Sequence, residues 1–226
     1  MLEIKSIVKS YGTKAVLNKV TFSVVDGAIT AVIGPNGSGK TTLFDVLVGI
    51  QDATTNDSTL NGNKLSDIAP KDIGFLPETP FLFTSFTTRD ALSYDMTMRD
   101  IPETESRWQE IAARFRIGDA LSIKVGELSQ GMKKRVALTC AFLGTPSVII
   151  LDEPLNALDI QTVIALKEQL YVEKKRGAHI LISSHVLSFL DGLANEFIFL
   201  SNGKVACQCE GSDKQAEDIY QKLFCV

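Results

Sequence analysis

The stretch Gly34-Pro35-Asn36-Gly37-Ser38-Gly39-Lys40-Thr41-Thr42 constrains this chain more than any other. From Gly34 to Thr41 it fits G-x-x-x-x-G-K-[ST], the pattern of a phosphate-binding loop. Before it, Ala28-Ile29-Thr30-Ala31-Val32-Ile33 is short enough and apolar enough for a buried strand. After it, Thr42 to Gly49 reads as a helix ending on a glycine. Strand, glycine-rich loop and helix in that order gather backbone N–H groups at a positive helix end. Gly34, Gly37 and Gly39 let the backbone turn tightly and approach an anion without a Cβ in the way. Asn36, Ser38 and Thr42 complete the candidate phosphate-binding set. Lys40 supplies a mobile positive charge for β- and γ-phosphates, and Thr41 a hydroxyl for Mg²⁺.

Composition narrows the remaining choices. A chain of 226 residues allows one large domain or two small ones, with a sizeable core. Apolar content of 45% and charged content of 22% are ordinary for a soluble globular protein. A net charge of −4 argues against a nucleic-acid surface, so phosphate binding must be local. No apolar run approaches the ~20 residues of a membrane span. Met1-Leu2-Glu3-Ile4-Lys5 lacks a signal-peptide core, so the expected location is cytoplasmic, with a membrane reached only by docking. Cys140, Cys207, Cys209 and Cys225 lack C-x-x-C metal spacing and are expected to be reduced and structural.

In chain order, residues 2–8 alternate like a strand, and Val20 to Val25 suggests its partner. Ser10-Tyr11-Gly12 between them reads as a turn with an exposed aromatic, either loop filler or a platform for adenine. Residues 58–63 predict a short strand and turn, and 72–76 a strand stopped by Pro77. From Thr87 to Phe115 the period is helical, with Pro102 dividing two helices and Thr104 or Glu105 near the second start. Ser129 opens a further helix towards Gly144 and Pro146, so a helical subdomain is expected at about 84–145. Val148-Ile149-Ile150-Leu151 then reads as a strand covered on both faces. A helix over 160–175, a strand over 179–183 and a hairpin over 197–207 follow. A closing helix over 212–224 is capped by Ser212 or Asp213.

Three further pieces bear on chemistry. Parallel α/β sheets place their sites at strand carboxyl ends. Asp152, at such an end, suits holding a metal-bound water, and Glu153 can polarise a water for in-line attack on a γ-phosphate. Leu128-Ser129-Gln130-Gly131-Met132 begins a helix, which makes a second anion site. The economical explanation is that Ser129 and Gly131 bind the nucleotide of another subunit.

Taken together, these segments resemble the ATP-binding subunit of an ABC transporter over essentially the whole chain. Gly34–Thr42 is similar to the Walker A loop, LSQGM at 128–132 to the LSGGQ-type signature, and Ile149–Glu153 to the Walker B strand with its catalytic glutamate. Leu155–Asp159 is similar to the D-loop, with Ala157 where glycine is usual, and His185 to the switch histidine. Tyr11 is similar to the adenine-stacking aromatic. Glu78 stands where the Q-loop usually has glutamine, and Gln130 replaces the signature's second glycine.

The resemblance implies an α/β, P-loop NTPase ABC-type ATPase fold. It combines a mostly parallel sheet core, N-terminal antiparallel strands and an inserted helical subdomain. One cassette would fill residues 1–226, with 1–83 and 146–226 as core and 84–145 as helical arm. It implies ATP and Mg²⁺ as ligands, with Thr41, Asp152 and Glu78 at the metal and Lys40, Glu153 and His185 in catalysis. It also implies a head-to-tail dimer around two ATP molecules and a separate membrane permease, with the chain peripheral at the cytoplasmic face. Phe81, Phe83 and Phe86 are either that permease contact or a local cluster. The phenylalanine-rich segment and compact length lean towards an exporter-like ATPase. A soluble assembly ATPase is the alternative; a translation factor or DNA-repair ATPase is disfavoured by the single cassette and the lack of basic excess.

Overall fold

A computed structural model describes residues 1–102, 107–210 and 213–225, except the side chains of Asp213 and Lys214. In chain order its elements are β1 (Leu2–Tyr11), β2 (Lys14–Val24), β3 (Ile29–Ile33), α1 (Lys40–Leu47), β4 (Thr59–Leu60), β5 (Asn63–Lys64) and β6 (Ile73–Leu76). Then come α2 (Thr88–Met98), α3 (Arg107–Arg114), α4 (Gln130–Phe142), β7 (Val148–Leu151), α5 (Ile160–Lys175), β8 (His179–Ser183), α6 (Leu187–Leu190), β9 (Glu196–Ser201), β10 (Lys204–Glu210) and α7 (Asp213–Phe224).

The larger sheet has strand order β10-β9-β3-β8-β7-β6, and β9, β3, β8, β7 and β6 run parallel to their neighbours. Only β10 is antiparallel, closing a hairpin on β9. The smaller sheet, β2-β1-β4-β5, is antiparallel throughout.

The central strands have no polar face, because both of their sides meet a core. Ile29, Ala31, Ile149, Leu151, Ile180 and Ile182 face one apolar cluster, with α5 and α6. The alternate residues Val32, Val148, Ile150 and Leu181 face a second, shared with β1, β2 and α1. Strand periodicity divides each short run between the two layers. Each buried Ile, Leu or Val side chain among them contributes about 1.5–3 kcal/mol by leaving water.

Helices α2, α3 and α4 enclose a third cluster, which includes Leu92, Met96, Ala112, Leu128 and Val136. Thr87 starts α2 with a reciprocal cap: its hydroxyl accepts from Asp90 N at 3.1 Å, and its own N–H donates to Asp90 Oδ2 at 3.1 Å. Two features fasten this region to the sheet. Gly74 in β6 has no side chain, and a Cβ there would lie 2.0 Å from Ala141 O of α4. Glu173 of α5, 0% exposed, accepts from Arg107 at the start of α3, from Arg176 and from Gln169.

Several boundaries differ from the sequence expectations. The second strand begins at Lys14 rather than Val20, and Tyr11 belongs to β1 rather than to a turn, because the antiparallel register runs out to the pair Tyr11↔Lys14. Gly12, at φ +58°, makes the turn. Helix α1 starts at Lys40, two residues early, because Gly39 at φ +107° ends the loop. The short strand β5 and the single turn α6 were not anticipated; each is too short for its period to show. Thr104, Glu105 and Ser212, and the side chain of Asp213, lie outside the described residues.

Candidate active site

The parallel strands all deliver their carboxyl ends to one rim. There β3 leads to the glycine loop, β6 to Glu78, β7 to Asp152 and Glu153, and β8 to Ser183 and His185. A cavity of about 510 Å³ opens on this rim. Asn36, Gly37, Gly39, Lys40, Thr41 and Thr42 line it from the loop side, and Glu78, Asp152, Glu153 and His185 face them.

Within the loop, Gly37 (φ +79°) and Gly39 occupy left-handed backbone that only glycine adopts freely. Gly34 serves a different need: a Cβ there would sit 2.3 Å from Leu200 O and 2.7 Å from Ser38 Oγ. Ser38 Oγ is buried with no hydrogen-bond partner among the described residues, so the loop carries an unspent donor. Lys40 Nζ donates to Gly34 O at 2.8 Å and to Pro35 O at 3.3 Å. Burial lowers the pKa of this ammonium, while Glu153, Asp152 and Glu78 pull it back up.

Asp152 is buried with both oxygens engaged. Thr41 Oγ1 donates to Oδ2 at 2.6 Å, and Ser183 Oγ donates to Oδ1. The same Ser183 oxygen accepts from Glu153 N at 2.8 Å. Glu153 itself has φ +44°, a strained conformation for a residue with a side chain. Its Oε2 accepts from His185 N at 3.3 Å, and its Oε1 lies 3.0 Å from His185 Nε2. Burial raises the pKa of the Glu153 carboxyl, and His185 and Lys40 oppose that shift. A partly desolvated carboxylate beside an imidazole is suited to accept a proton.

A metal fits the donor set. The Thr41 hydroxyl and the Asp152 carboxylate are hard oxygen ligands already in contact, with Glu78 on the same cavity wall. Mg²⁺ is held in this way, by one or two protein oxygens plus water and phosphate, rather than by a protein cage. No cluster of three or more His, Cys, Asp or Glu residues able to hold a metal occurs among the described residues.

Three of the expected residues stand apart from this cavity. Ser129 and Gly131 sit at the start of α4, away from the loop, and Ser129 Oγ caps its own helix by accepting from Met132 N at 3.2 Å. Its hydroxyl is therefore partly committed rather than free. Gly131 lies against the D-loop-like turn, where a Cβ would come 2.8 Å from Ala157 O. Ala157 has φ +65°, a conformation that favours glycine. Tyr11 is 46% exposed; its hydroxyl donates to Gln51 Oε1, and Lys9 Nζ lies 5.0 Å from its ring centroid. Its strand partner Lys14 lines the cavity, with Ala15 and Val16.

The aromatic segment is a cluster and a surface at once. Phe83 meets Phe81, Phe86 and Tyr94 at centroid distances of 5.4, 5.0 and 5.2 Å. Phe81 is 82% exposed, whereas Phe86 is half-buried rather than exposed, because Tyr94 packs on it. Two residues at the site escaped the sequence reading. Ser183 carried no motif of its own. Lys134 interrupts the apolar stripe Ala137, Leu138, Ala141 of α4, and that break in period was the available signal.

Comparison with known proteins agrees with this geometry. Residues 17–156 match the ABC transporter family model, which covers the loop, Glu78, the signature-like segment and Glu153 but not Tyr11, Asp159 or His185. The lantibiotic transport ATP-binding protein SrtF of Streptococcus pyogenes is 32% identical over 219 residues, 96% of this chain and 95% of that protein. The ABC-type transporter ATP-binding protein EcsA of Bacillus subtilis is 31% identical over 240 residues, covering 99% and 96%. A solved ATP-binding subunit of an ABC transporter superposes with TM-score 0.85 at 30% identity, over 99% of this chain and 93% of that one. The chain belongs to the ABC transporter family, as an ATP-binding subunit with the ATPase fold.

Proposed function

We propose that this chain binds Mg-ATP, closes head to tail on a second cassette, and powers a separate membrane permease from the cytoplasmic face. The observation that carries this reading is the division of the site. Lys40, Thr41, Asp152, Glu153 and His185 share one cavity, while the exposed Ser129 and the half-buried Gly131 form a helix start elsewhere on the same chain. One chain thus holds both halves of a composite site that two copies complete. We read residues 84–145 as the arm that carries the second half. The names of the relatives favour transport over an assembly role, and the exposed Phe81 beside a cavity of about 280 Å³ supplies an apolar contact for the permease.

Hydrolysis then follows from the residues. The loop N–H groups and Ser38 Oγ take phosphate oxygens, and Lys40 exchanges its carbonyl partners for the β- and γ-phosphates. Thr41 and Asp152 would hold Mg²⁺, with Glu78 on the same wall, and the bound ion would neutralise phosphate charge. Glu153 accepts the proton of the attacking water, and His185 holds that carboxylate in place and contacts the γ-phosphate. Ser129 and Gly131 of the second copy cover the phosphate from the other side. Because ATP touches both copies only when they are closed, binding favours closure, and hydrolysis removes the bias. Tyr11 is the proposed adenine platform, one strand pair from the cavity wall.

The test is Glu153→Gln. With Mg-ATP it should elute as a dimer and hydrolyse at least about 100-fold more slowly than the wild type. Wild-type turnover in the purified variant would defeat the base assignment. A variant that stays monomeric at saturating ATP would defeat the composite site.

A further inference from the structure

The cavity gathers three carboxylates, Glu78, Asp152 and Glu153, around a place meant for a polyanion. Lys40 and the exposed Lys14 are the ammonium groups on its lining, and Lys40 is the buried one. A further ammonium approaches from behind. Lys134 lies on the core-facing side of α4, in the helical row that continues through Leu138 and Ala141. An apolar residue would ordinarily occupy that position. Lys134 is only 3% exposed. Its Nζ donates to Glu78 O at 3.0 Å and reaches Pro77 O at 3.5 Å. Burial lowers the pKa of this ammonium, and the carboxylates of Asp152, Glu78 and Glu153 act against that shift. Its helix neighbours behave differently: Lys133 is not buried, and Arg135 pairs with Asp159. A buried ammonium is costly unless its surroundings compensate it, and here the compensating groups are those of the active site.

We propose that Lys134 is a positioning residue of the ATP site: from the helix that begins at Ser129 it holds the Pro77–Glu78 turn by its carbonyls and offsets the charge of the Glu78 carboxylate. The backbone bonds fix where the turn leaves β6. The charge lets Glu78 sit beside Asp152 and Glu153 without expelling an incoming triphosphate. Because Ser129 and Lys134 belong to one helix, the arrangement also ties the turn facing a chain's own nucleotide to the segment that would cover its partner's. Movement of α4 is thereby felt at Glu78.

This inference rests on the ATP-site reading, so the experiment separates the two. ATP binding and steady-state ATPase rates, the latter as a function of free Mg²⁺, are measured for wild type, Lys134→Gln, Glu78→Gln and the double variant. Lys134→Gln should lose turnover on the order of 100-fold, the scale of a displaced catalytic wall. It should also need more free Mg²⁺ to reach half of its own maximum. In the double variant, with the excess negative charge removed, turnover should return to within a few-fold of Glu78→Gln alone. A lysine that merely fills space would show no such coupling, since Glu78→Gln cannot mend a packing defect. The inference fails if Lys134→Gln turns over like wild type, or if its deficit persists unchanged in the double variant. If Lys134→Gln does not fold, recovery of folding and turnover in the double variant supports the charge offset, and absence of recovery overturns it. Loss of ATP binding in the wild type itself would instead overturn the site reading.

Discussion

Ser183 shows how much of the site is held by one small side chain. A single hydroxyl accepts from the Glu153 backbone and donates to the Asp152 carboxylate, so it sets both acids against each other. The Glu153 backbone is strained, and strain persists only where neighbours over-determine it. Removing the hydroxyl leaves a buried N–H without its acceptor, a cost of about 1–3 kcal/mol. Ser183→Ala should therefore lower kcat by roughly tenfold or more, since a small misplacement is felt strongly in turnover. ATP affinity should change little, because the loop is untouched. Calorimetric binding beside steady-state rates checks this; a large loss of affinity with normal kcat would contradict it. Nothing in the sequence singles out Ser183, whose partner lies 31 residues away. Lys134 broke the apolar period of its helix, but its carbonyl partner is 56 residues distant and no local pattern names it. Gly34–Thr42 was legible for the opposite reason: loop, charge and hydroxyl are all local.

At the level of elements, the junction of β6 and α4 has the least tolerance. Helix and strand meet at Gly74, where the missing side chain leaves room for Ala141 O. Gly74→Ala would place a carbon 2.0 Å from that oxygen, and backbone must shift. The expected cost is about 1–3 kcal/mol, as for other overpacked cores. It should appear as a lower urea midpoint with reduced ATPase activity, because β6 leads directly to Glu78. An unchanged midpoint would show that α4 is not seated as described. Elements of this kind divide the legible from the illegible. Runs such as Val148–Leu151 announced buried strands by composition alone, and the helix over 160–175 by its period. The start of β2 at Lys14 was not readable, because its first residues alternate weakly and gain their place only by pairing with β1. The position of α4 against β6 depends on a glycine whose requirement is a distant carbonyl, which no local pattern encodes.

For the whole molecule, the separation of Ser129 from the loop makes a test with two damaged chains. Lys40→Ala spoils a chain's own loop but leaves its helix start intact. Ser129→Asp keeps the N-cap, since aspartate caps as well as serine, yet sets a negative charge against phosphate. Each variant alone should be nearly inactive. Their mixture should regain ATPase activity, because a mixed dimer contains one complete site; equal inactivity in the mixture would argue against sites shared between copies. The sheet beneath has a related consequence for assembly of the fold. In β7 both faces are apolar, so sliding that strand by one residue exchanges one greasy face for another and meets no penalty from water. What forbids the slide lies at the strand ends. A one-residue shift of β7 would drag the Asp152 carboxylate between hydrophobic layers, and a shift of β8 would part Ser183 from it. Asp152 thus also acts as a stop on its own strand, and a chain that folds in the wrong register loses its candidate site and its alignment together.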